Sequence, residues 1–157
     1  MKLPALIASI YLLAAPAAFS QGTINFSNGA SGVNAPVFGV NSLSSPFKLE
    51  GAGYVVQLYA GPVGTSWNSL TSITPTATFG TGLAAGYFFG GIVTVPNVPT
   101  GSPAAYQVRV WTANFATWDT AWAAYQSGNP LAGVGVSGWS LIGLRHRCLP
   151  VQTWAVG

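Results

Sequence analysis

The sequence predicts an all-β sandwich with one short helix, and three observations carry that prediction. Half of the residues are hydrophobic whereas only 4% are charged, which indicates a folded chain with a core rather than a disordered one. The 20 glycines and 11 prolines indicate many turns. Between these turns, short runs rich in β-branched and aromatic residues recur about every 10 residues, which is typical of the strands of a sandwich or barrel.

The strands are predicted from the alternation of their side chains between two faces. The clearest run is YQVRVWTA, in which Gln107, Arg109 and Trp111 share one face. The pair Gly90 and Gly91 predicts a bulge or tight corner inside another run. Residues 130–138 are expected to form a last strand or an extended arm. The other strands are predicted at residues 22–27, 35–40, 54–62, 76–80, 87–96 and 106–113.

One segment, TWDTAWAAYQSG, has the period of a helix instead. Trp118, Trp122 and Tyr125 recur at positions i, i+4 and i+7, which favours one apolar helical face. Thr117 is expected to cap the start of the helix and Gly128 to end it. We expect about two helical turns, laid across an open end of the sheets.

The first 20 residues are typical of a signal peptide. Lys2 precedes an apolar run at residues 3–17, and Ala18 and Ser20 are the small residues of a cleavage site before Gln21. The run is shorter than the roughly 20 residues that a membrane-spanning helix needs. We therefore predict a cleaved signal peptide at residues 1–20, a β-sandwich domain at 21–138 and an atypical tail at 139–157.

The tail ends in GLRHRCLPVQTWAVG, which holds the only histidine, His146, and the only cysteine, Cys148. Zinc needs three or four protein ligands, and the chain adds only Glu50 and Asp119. A Cys–His nucleophile pair needs an orienting third group, which nothing nearby supplies. The abrupt rise in charge after Gly138 leaves two interpretations open: a frameshifted or truncated tail, or a genuine inert arm.

Charge and residue inventory exclude several classes of function. Between residues 21 and 144, Lys48 and Arg109 balance Glu50 and Asp119, so the basic stripe of a nucleic-acid-binding protein is absent. GVGVSG at residues 133–138 matches a dinucleotide-binding pattern but has no acidic residue after it. The set of acids, bases and nucleophiles is too small to suggest a reaction. We predict a protein that is not an enzyme and that has no cofactor and no metal.

Two resemblances add to this prediction. VTVPNVPTGSPAAYQVRVWTA resembles the corner between the fifth and sixth strands of immunoglobulin-like and fibronectin type III sandwiches, which implies that Tyr106 is the corner tyrosine. More of the chain, from GTINFSN to YQVRVW, looks like exported bacterial proteins of unknown function of the PEP-CTERM-associated type. That resemblance implies a secreted or cell-envelope location. The sorting signal itself is not found in residues 149–157, and the resemblance carries over no catalytic residues.

Two functions follow from these observations. The first is a structural or adhesive component of the cell envelope or extracellular matrix, which self-associates or binds exopolysaccharide or envelope components through uncharged polar and aromatic faces. The alternative is a carbohydrate-binding module, because an aromatic face offers an apolar platform for a sugar ring. The candidate stacking residues are Tyr59, Trp111, Trp118 and Trp122.

Overall fold

The computed structural model describes residues 21–30, 32, 34–40, 46–136 and 140–142. The predicted signal peptide lies outside these residues, as do His146 and Cys148. The described chain is mostly β-strand with one α-helix, α1 (Trp118–Gln126). The strands are β1 (Gln21–Ser27), β2 (Phe38–Val40), β3 (Pro46–Lys48), β4 (Tyr54–Pro62), β5 (Thr71–Thr78), β6 (Phe89–Pro99), β7 (Ala104–Thr112), β8 (Val134–Val136) and β9 (Ser140–Ile142).

The strands form two packed antiparallel sheets and a small hairpin. The larger sheet has the order β5-β4-β7-β8, with β9 also paired to β7; the smaller sheet pairs β1 with β6, and β2 pairs with β3. Apolar side chains from both sheets meet in one core, because each sheet must bury its apolar face against another layer. The predicted all-β, sandwich-like architecture is confirmed. This first core includes Phe26, Val93 and Val95 from the smaller sheet and Val56, Leu58 and Val110 from the larger.

The predicted alternation is confirmed in β4 and β7, the central strands of the larger sheet. Leu58 lies opposite Val108 and Gln57 lies opposite Arg109, so residues of one parity share a face across both strands. Val56 and Leu58 enter the first core. The alternate residues of β4, such as Gln57 and Tyr59, therefore point to the opposite, outer face of the same sheet.

The helix forms where the sequence predicts it. The backbone N–H of Thr120 donates to the Thr117 hydroxyl oxygen, and the Thr117 N–H donates to the Thr120 hydroxyl oxygen, each at 3.3 Å. This reciprocal pair satisfies two N–H groups that the first helical turn leaves unpaired. Gly128, two residues beyond the end of α1, adopts a φ of +77°, which suits a glycine after a helix.

The predicted position of the helix was wrong. Instead of crossing an open end of the sheets, α1 covers the outer face of the larger sheet. Trp118 and Ala121 of the helix pack with Tyr59, Ala105 and Trp111 of that face in a second core. The reason is that Tyr59 and Trp111 stand on this face, and their rings are buried when the helix packs over them.

Strand ends were predicted less well than strand centres. β5 begins at Thr71, five residues before the predicted start, and Ile73 is its only fully buried residue. Because its other side chains are mostly exposed hydroxyls, the strand lacks the apolar alternation that marks β4. Within residues 130–138, β8 is confirmed as a strand of three residues. Tyr106 lies half-buried against the first core, and its corner role stays a prediction.

The predicted bulge at Gly90 and Gly91 is confirmed. The register between β1 and β6 shifts where Phe26 faces Gly91 and Ser27 faces Phe89, and Gly91 has a φ of +77°. The Phe26 ring lies directly against Gly90. A Cβ atom at residue 90 would stand 2.2 Å from Cδ1 of Phe26, which is closer than two carbon atoms can approach.

Gly90→Ala is therefore expected to lower the free energy of unfolding by about 1–3 kcal/mol, since the Phe26 ring must shift within a packed core. Chemical denaturation followed by tryptophan fluorescence measures this loss. Gly53→Ala is the matched control, because nothing lies within 4 Å of a Cβ at that residue. A Gly90→Ala protein as stable as the Gly53→Ala protein would contradict the close contact.

Candidate functional site

The outer face of the larger sheet concentrates the unusual chemistry of the described chain. Gln57 and Arg109 are opposite each other in β4 and β7, as are Tyr59 and Gln107. These four residues share a face because each is two positions from the next along its strand. Helix α1 places Trp118 over the same face. We call Arg109, Gln107, Tyr59, Trp118 and the main-chain carbonyl of Trp67 the Arg109 cluster.

Arg109 is held at the centre of this cluster with only 5% of its surface exposed. Its Nε donates to Oε1 of Gln107 at 2.8 Å, and its Nη2 donates to the carbonyl oxygen of Trp67 at 2.7 Å. The guanidinium carbon lies 3.9 Å from the centroid of the Tyr59 ring and 5.3 Å from that of Trp118. Arg109 therefore ties a strand, the β4–β5 connection and the helix together.

The positive charge of Arg109 is compensated by neutral acceptors and ring faces. The chain has two acidic residues, Glu50 and Asp119, and both are exposed. Burial lowers the pKa of Arg109, and the nearby Tyr59 and Asp119 oppose that effect. The guanidinium stays protonated, since arginine does not lose its proton in proteins. Two charge-assisted hydrogen bonds and two cation–π contacts offset the cost of removing the cation from water.

The aromatic rings beside Arg109 form a continuous stack along the helix. Trp118 and Trp122 are stacked with centroids 5.6 Å apart, and Trp122 and Tyr125 are stacked at 5.8 Å. Trp111 meets Trp118 edge to face at 6.4 Å, and its Nε1 donates to the carbonyl oxygen of Phe115 at 2.9 Å. Trp122 thus has a stacked ring neighbour on the preceding helical turn and another on the following one.

The four predicted stacking residues all lie in this one region. Tyr59, Trp111 and Trp118 are buried, and Trp122 is half-buried between two rings. Because Tyr59, Trp111 and Trp118 are buried, a sugar could reach these three rings only if the groups that cover them moved. Their ligand role stays a prediction. Sequence reasoning did not single out Arg109 as a site residue. The signal was present, because the alternation of side chains in YQVRVWTA places Arg109, the one charged residue of that strand, on the same face as Trp111.

Beside β6 there is an open groove of about 440 Å³. Its walls come from the end of β5 and the start of β6, with Phe79 and Phe89 among its lining residues, none of which is ionisable. Among the described residues, no group of three or more His, Cys, Asp or Glu side chains is placed to hold a metal. In the same part of the chain, no helix has the length and apolarity needed to cross a membrane.

The buried tyrosine predicts a loss of stability in alkali. Burial raises the pKa of Tyr59 above its ordinary value of 10.0, although the charge of Arg109 acts in the opposite direction. Above pH 10 the unfolded chain loses this proton while the folded chain keeps it, so stability falls until the folded pKa is reached. We expect Tyr59→Phe to lose less stability than the wild type in denaturation measured from neutral pH to above pH 10.

Tyr54 provides the comparison for this experiment. Burial raises the pKa of Tyr54 as well, so Tyr54→Phe should also reduce the alkaline loss, and the double variant should show the smallest loss. An alkaline slope that is the same in the wild type and in Tyr59→Phe would contradict the burial of the Tyr59 hydroxyl.

Comparison of the chain with protein family models, curated proteins and solved structures found no match. The function of the protein is therefore inferred from its own residues and contacts.

Proposed function

We propose that this chain is an exported, non-enzymatic protein that serves as a structural or adhesive component of the cell envelope or extracellular matrix. The observation that carries the proposal is the nearly uncharged surface. In the described part of the chain Arg109 is buried, and the charged side chains at the surface are Lys48, Glu50 and Asp119. A surface with so few charges gives little electrostatic repulsion between molecules, so it favours association. An adhesive component needs such association.

The exposed face of the smaller sheet supports the same proposal. Ile92 is 78% exposed and Phe89 is 62% exposed, and both belong to β6. Thr94 on β6 and Thr23 and Asn25 on β1 are also exposed. Large apolar side chains set among hydroxyl and amide groups favour contact with another surface.

The placement of the titratable groups supports the non-enzymatic part of the proposal. Glu50 precedes β4, whereas Asp119 lies in the first turn of α1. Acid–base catalysis needs groups within hydrogen-bond reach of one substrate. The buried Arg109 is engaged by Gln107, Trp67 and the aromatic rings, so its contacts are those of a structural cation.

Three finer features belong to the proposal and rest on the sequence. They are cleavage of residues 1–20 as a signal peptide, an immunoglobulin-like type of sandwich with Tyr106 as the corner tyrosine, and kinship with PEP-CTERM-associated exported proteins. The apolar run at residues 3–17 and the small residues Ala18 and Ser20 support the first. The strand–corner–strand segment from Val93 to Ala113 supports the second, and the longer resemblance from GTINFSN to YQVRVW supports the third.

Cell fractionation tests the proposal. The full chain is produced in a bacterium, and the cytosol, envelope and medium are separated and probed. We expect a product that begins at Gln21, by mass spectrometry, and that stays in the envelope or matrix fraction after washing. Recovery of the uncleaved chain in the cytosol, or of a monomer that washes freely into the medium, would contradict the proposal.

A matched pair of variants locates the adhesive surface. Phe89→Ser and Ile92→Ser together should reduce retention in the envelope fraction, because they remove the exposed apolar groups of β6. Val63→Ser is the control, since Val63 is 49% exposed and follows directly after β4, outside the smaller sheet. Equal retention of all three proteins would show that the β6 face does not carry the adhesion.

A further inference from the structure

The open groove beside β6 is lined by apolar side chains and hydroxyl groups. Its walls come from residues 75–80 and 89–90, at the end of β5 and the start of β6. Two of the lining residues, Thr76 and Thr78, are exposed and carry hydroxyls. No lining residue is ionisable, so the groove has no charge of its own with which to pair an ionic ligand. The apolar side chains are those of Pro75, Ala77, Phe79 and Phe89.

Packing against the first core fixes the shape of the groove. Phe79 is 4% exposed and meets Phe88 edge to face at 5.9 Å, and the Phe88 ring in turn lies 4.9 Å from that of Phe26. The backbone N–H of Gly80 donates to the carbonyl oxygen of Tyr87 at 2.8 Å, which links the two walls. A groove held in this way is formed before a ligand arrives, so binding requires little further ordering of the protein.

Phe89 is the exposed aromatic residue of the groove. It is 62% exposed, although burial of its ring would add to stability. The backbone of Gly29 supports the ring, because a Cβ atom at residue 29 would stand 3.0 Å from Cζ of Phe89. The ring is thus held in place while most of its surface remains in solvent. A supported, exposed ring of this kind offers an apolar platform to a ligand with a flat face.

The strand edge beside the groove is unsuited to a peptide. An extended peptide binds a sheet edge through main-chain hydrogen bonds, which need a regular row of donors and acceptors. Pro75 in the middle of β5 lacks an N–H, and the register of β5 with β4 is irregular between Val56 and Leu58. A ligand in this groove is therefore recognised by the ring and the hydroxyl groups rather than by strand pairing.

We propose that this groove binds an uncharged polysaccharide of β-1,4-linked pyranose sugars. Each pyranose has an apolar C–H face, which can lie on the Phe89 ring, and hydroxyls around its rim, which can donate to and accept from Thr76 and Thr78. The inference rests on the proposed function, because it names the partner of the adhesive surface. It places the sugar on the smaller sheet, away from the four stacking residues predicted from the sequence, which lie on the larger sheet and on α1.

The size and openness of the groove set the strength of binding. Its volume of about 440 Å³ falls within the range of roughly 300–1,000 Å³ that is usual for ligand sites. An open groove buries only part of a sugar chain, so we expect a dissociation constant of about 0.1–1 mM for a hexasaccharide. Many copies of the protein along one polymer chain would strengthen such weak contacts through multivalency.

Isothermal titration calorimetry of the chain as recovered from cells tests the ligand class. The probes are cellohexaose, xylohexaose and mannohexaose, three uncharged β-1,4-linked hexasaccharides, and we expect at least one of them to bind. The mannuronate hexamer has the linkage of mannohexaose with a carboxylate on each sugar. It should bind more weakly, because the groove offers its carboxylates no cation. Failure of all three neutral probes, or equal or tighter binding of the mannuronate hexamer, overturns the inference.

Substitution of the exposed ring tests the platform. Phe89→Leu keeps an apolar side chain but removes the ring, and it should weaken binding about tenfold, whereas Phe89→Trp should retain binding. Ile92→Ser is the matched control, because Ile92 is 78% exposed in the same strand but does not line the groove. A Phe89→Leu protein that binds like the wild type overturns the inference. An equal loss in Ile92→Ser would place the contact on the outer face of β6 and would also overturn it.

Removal of the hydroxyls tests the polar part of the groove. Thr76→Val with Thr78→Val keeps the shape and the strand preference of both side chains and should weaken binding about fivefold through the loss of two hydrogen bonds. Thr71→Val is the control, since Thr71 is exposed at the start of β5 and does not line the groove. Unchanged binding in the double variant would show that the hydroxyls do not contact the sugar, and it would overturn the inference.

A tryptophan variant separates this groove from the aromatic stack on α1. Trp122→Ala removes the least buried of the four predicted stacking residues and should bind the hexasaccharide like the wild type. Loss of binding in a folded Trp122→Ala protein would move the sugar to the helix and overturn the inference. Sugar binding and envelope retention are measured separately. Retention without sugar binding leaves the proposed function and removes this inference, whereas sugar binding without retention does the reverse.

Discussion

Trp118→Ala is expected to lower the free energy of unfolding by about 3–5 kcal/mol, the usual cost of deleting a buried tryptophan side chain. Trp118 is 4% exposed and contacts Trp111, Trp122 and Arg109. Its removal leaves a cavity between α1 and the larger sheet, and it takes one ring away from the cation. A helix of nine residues is not stable alone in water, so α1 should lose its protection first.

Two measurements check this expectation. Urea denaturation reports the total loss of stability, and amide hydrogen exchange reports whether α1 opens before the sheets. Trp118→Phe should recover part of the loss, because a smaller ring refills part of the cavity. Trp67→Ala is the control, since the Trp67 side chain is 40% exposed and its cluster contact is made by the main chain. A Trp118→Ala protein as stable as Trp67→Ala would refute the helix-covered second core.

Arg109→Lys is expected to lower the free energy of unfolding by about 2–4 kcal/mol, since each hydrogen bond from a charged group contributes about 1.5–3 kcal/mol. Lysine keeps the positive charge and the cost of its burial. Its single ammonium group lacks the planar fork with which Arg109 reaches Gln107 and Trp67 in different directions. The close contact of the guanidinium with the Tyr59 ring is also lost.

Arg109→Met separates the charge from the packing. Methionine fills much of the same space without burying a charge, although it leaves the Gln107 side chain without the donor that Arg109 provides. We therefore expect the order of stability wild type, Arg109→Met, Arg109→Lys. Lys48→Arg is the control at an exposed cation and should change stability by less than about 0.5 kcal/mol. Equal stability of Arg109→Lys and the wild type would show that the fork is not needed.

Local signals account for the parts of the fold that were predicted correctly. β4 and β7 alternate clearly, and the Thr117–Gly128 segment has both a helical period and caps, so these elements follow from neighbouring residues alone. β5 was placed five residues late because most of its side chains are exposed hydroxyls. Such a strand is specified by pairing with β4, which is a contact between distant parts of the chain.

The candidate site, too, was predicted only in part from the sequence. Sequence reasoning selected Tyr59, Trp111, Trp118 and Trp122 as aromatic candidates, and the structure brings all four together. Sequence reasoning could not decide whether these four rings bind a ligand or belong to a core, because that depends on which layer of the protein covers the sheet face. Once α1 lies on this face, three rings are buried and Arg109 becomes the centre of the cluster.

The sequence by itself determined the class of the fold, the faces of the central strands, the ends of the helix and the scarcity of charge. These properties depend on composition and on residues within a turn or a strand of one another. Contacts between distant segments determine that α1 covers the larger sheet and that Arg109 is buried among rings. Those outcomes depend on how apolar faces from distant segments compete for burial, and burial is a property of the whole chain.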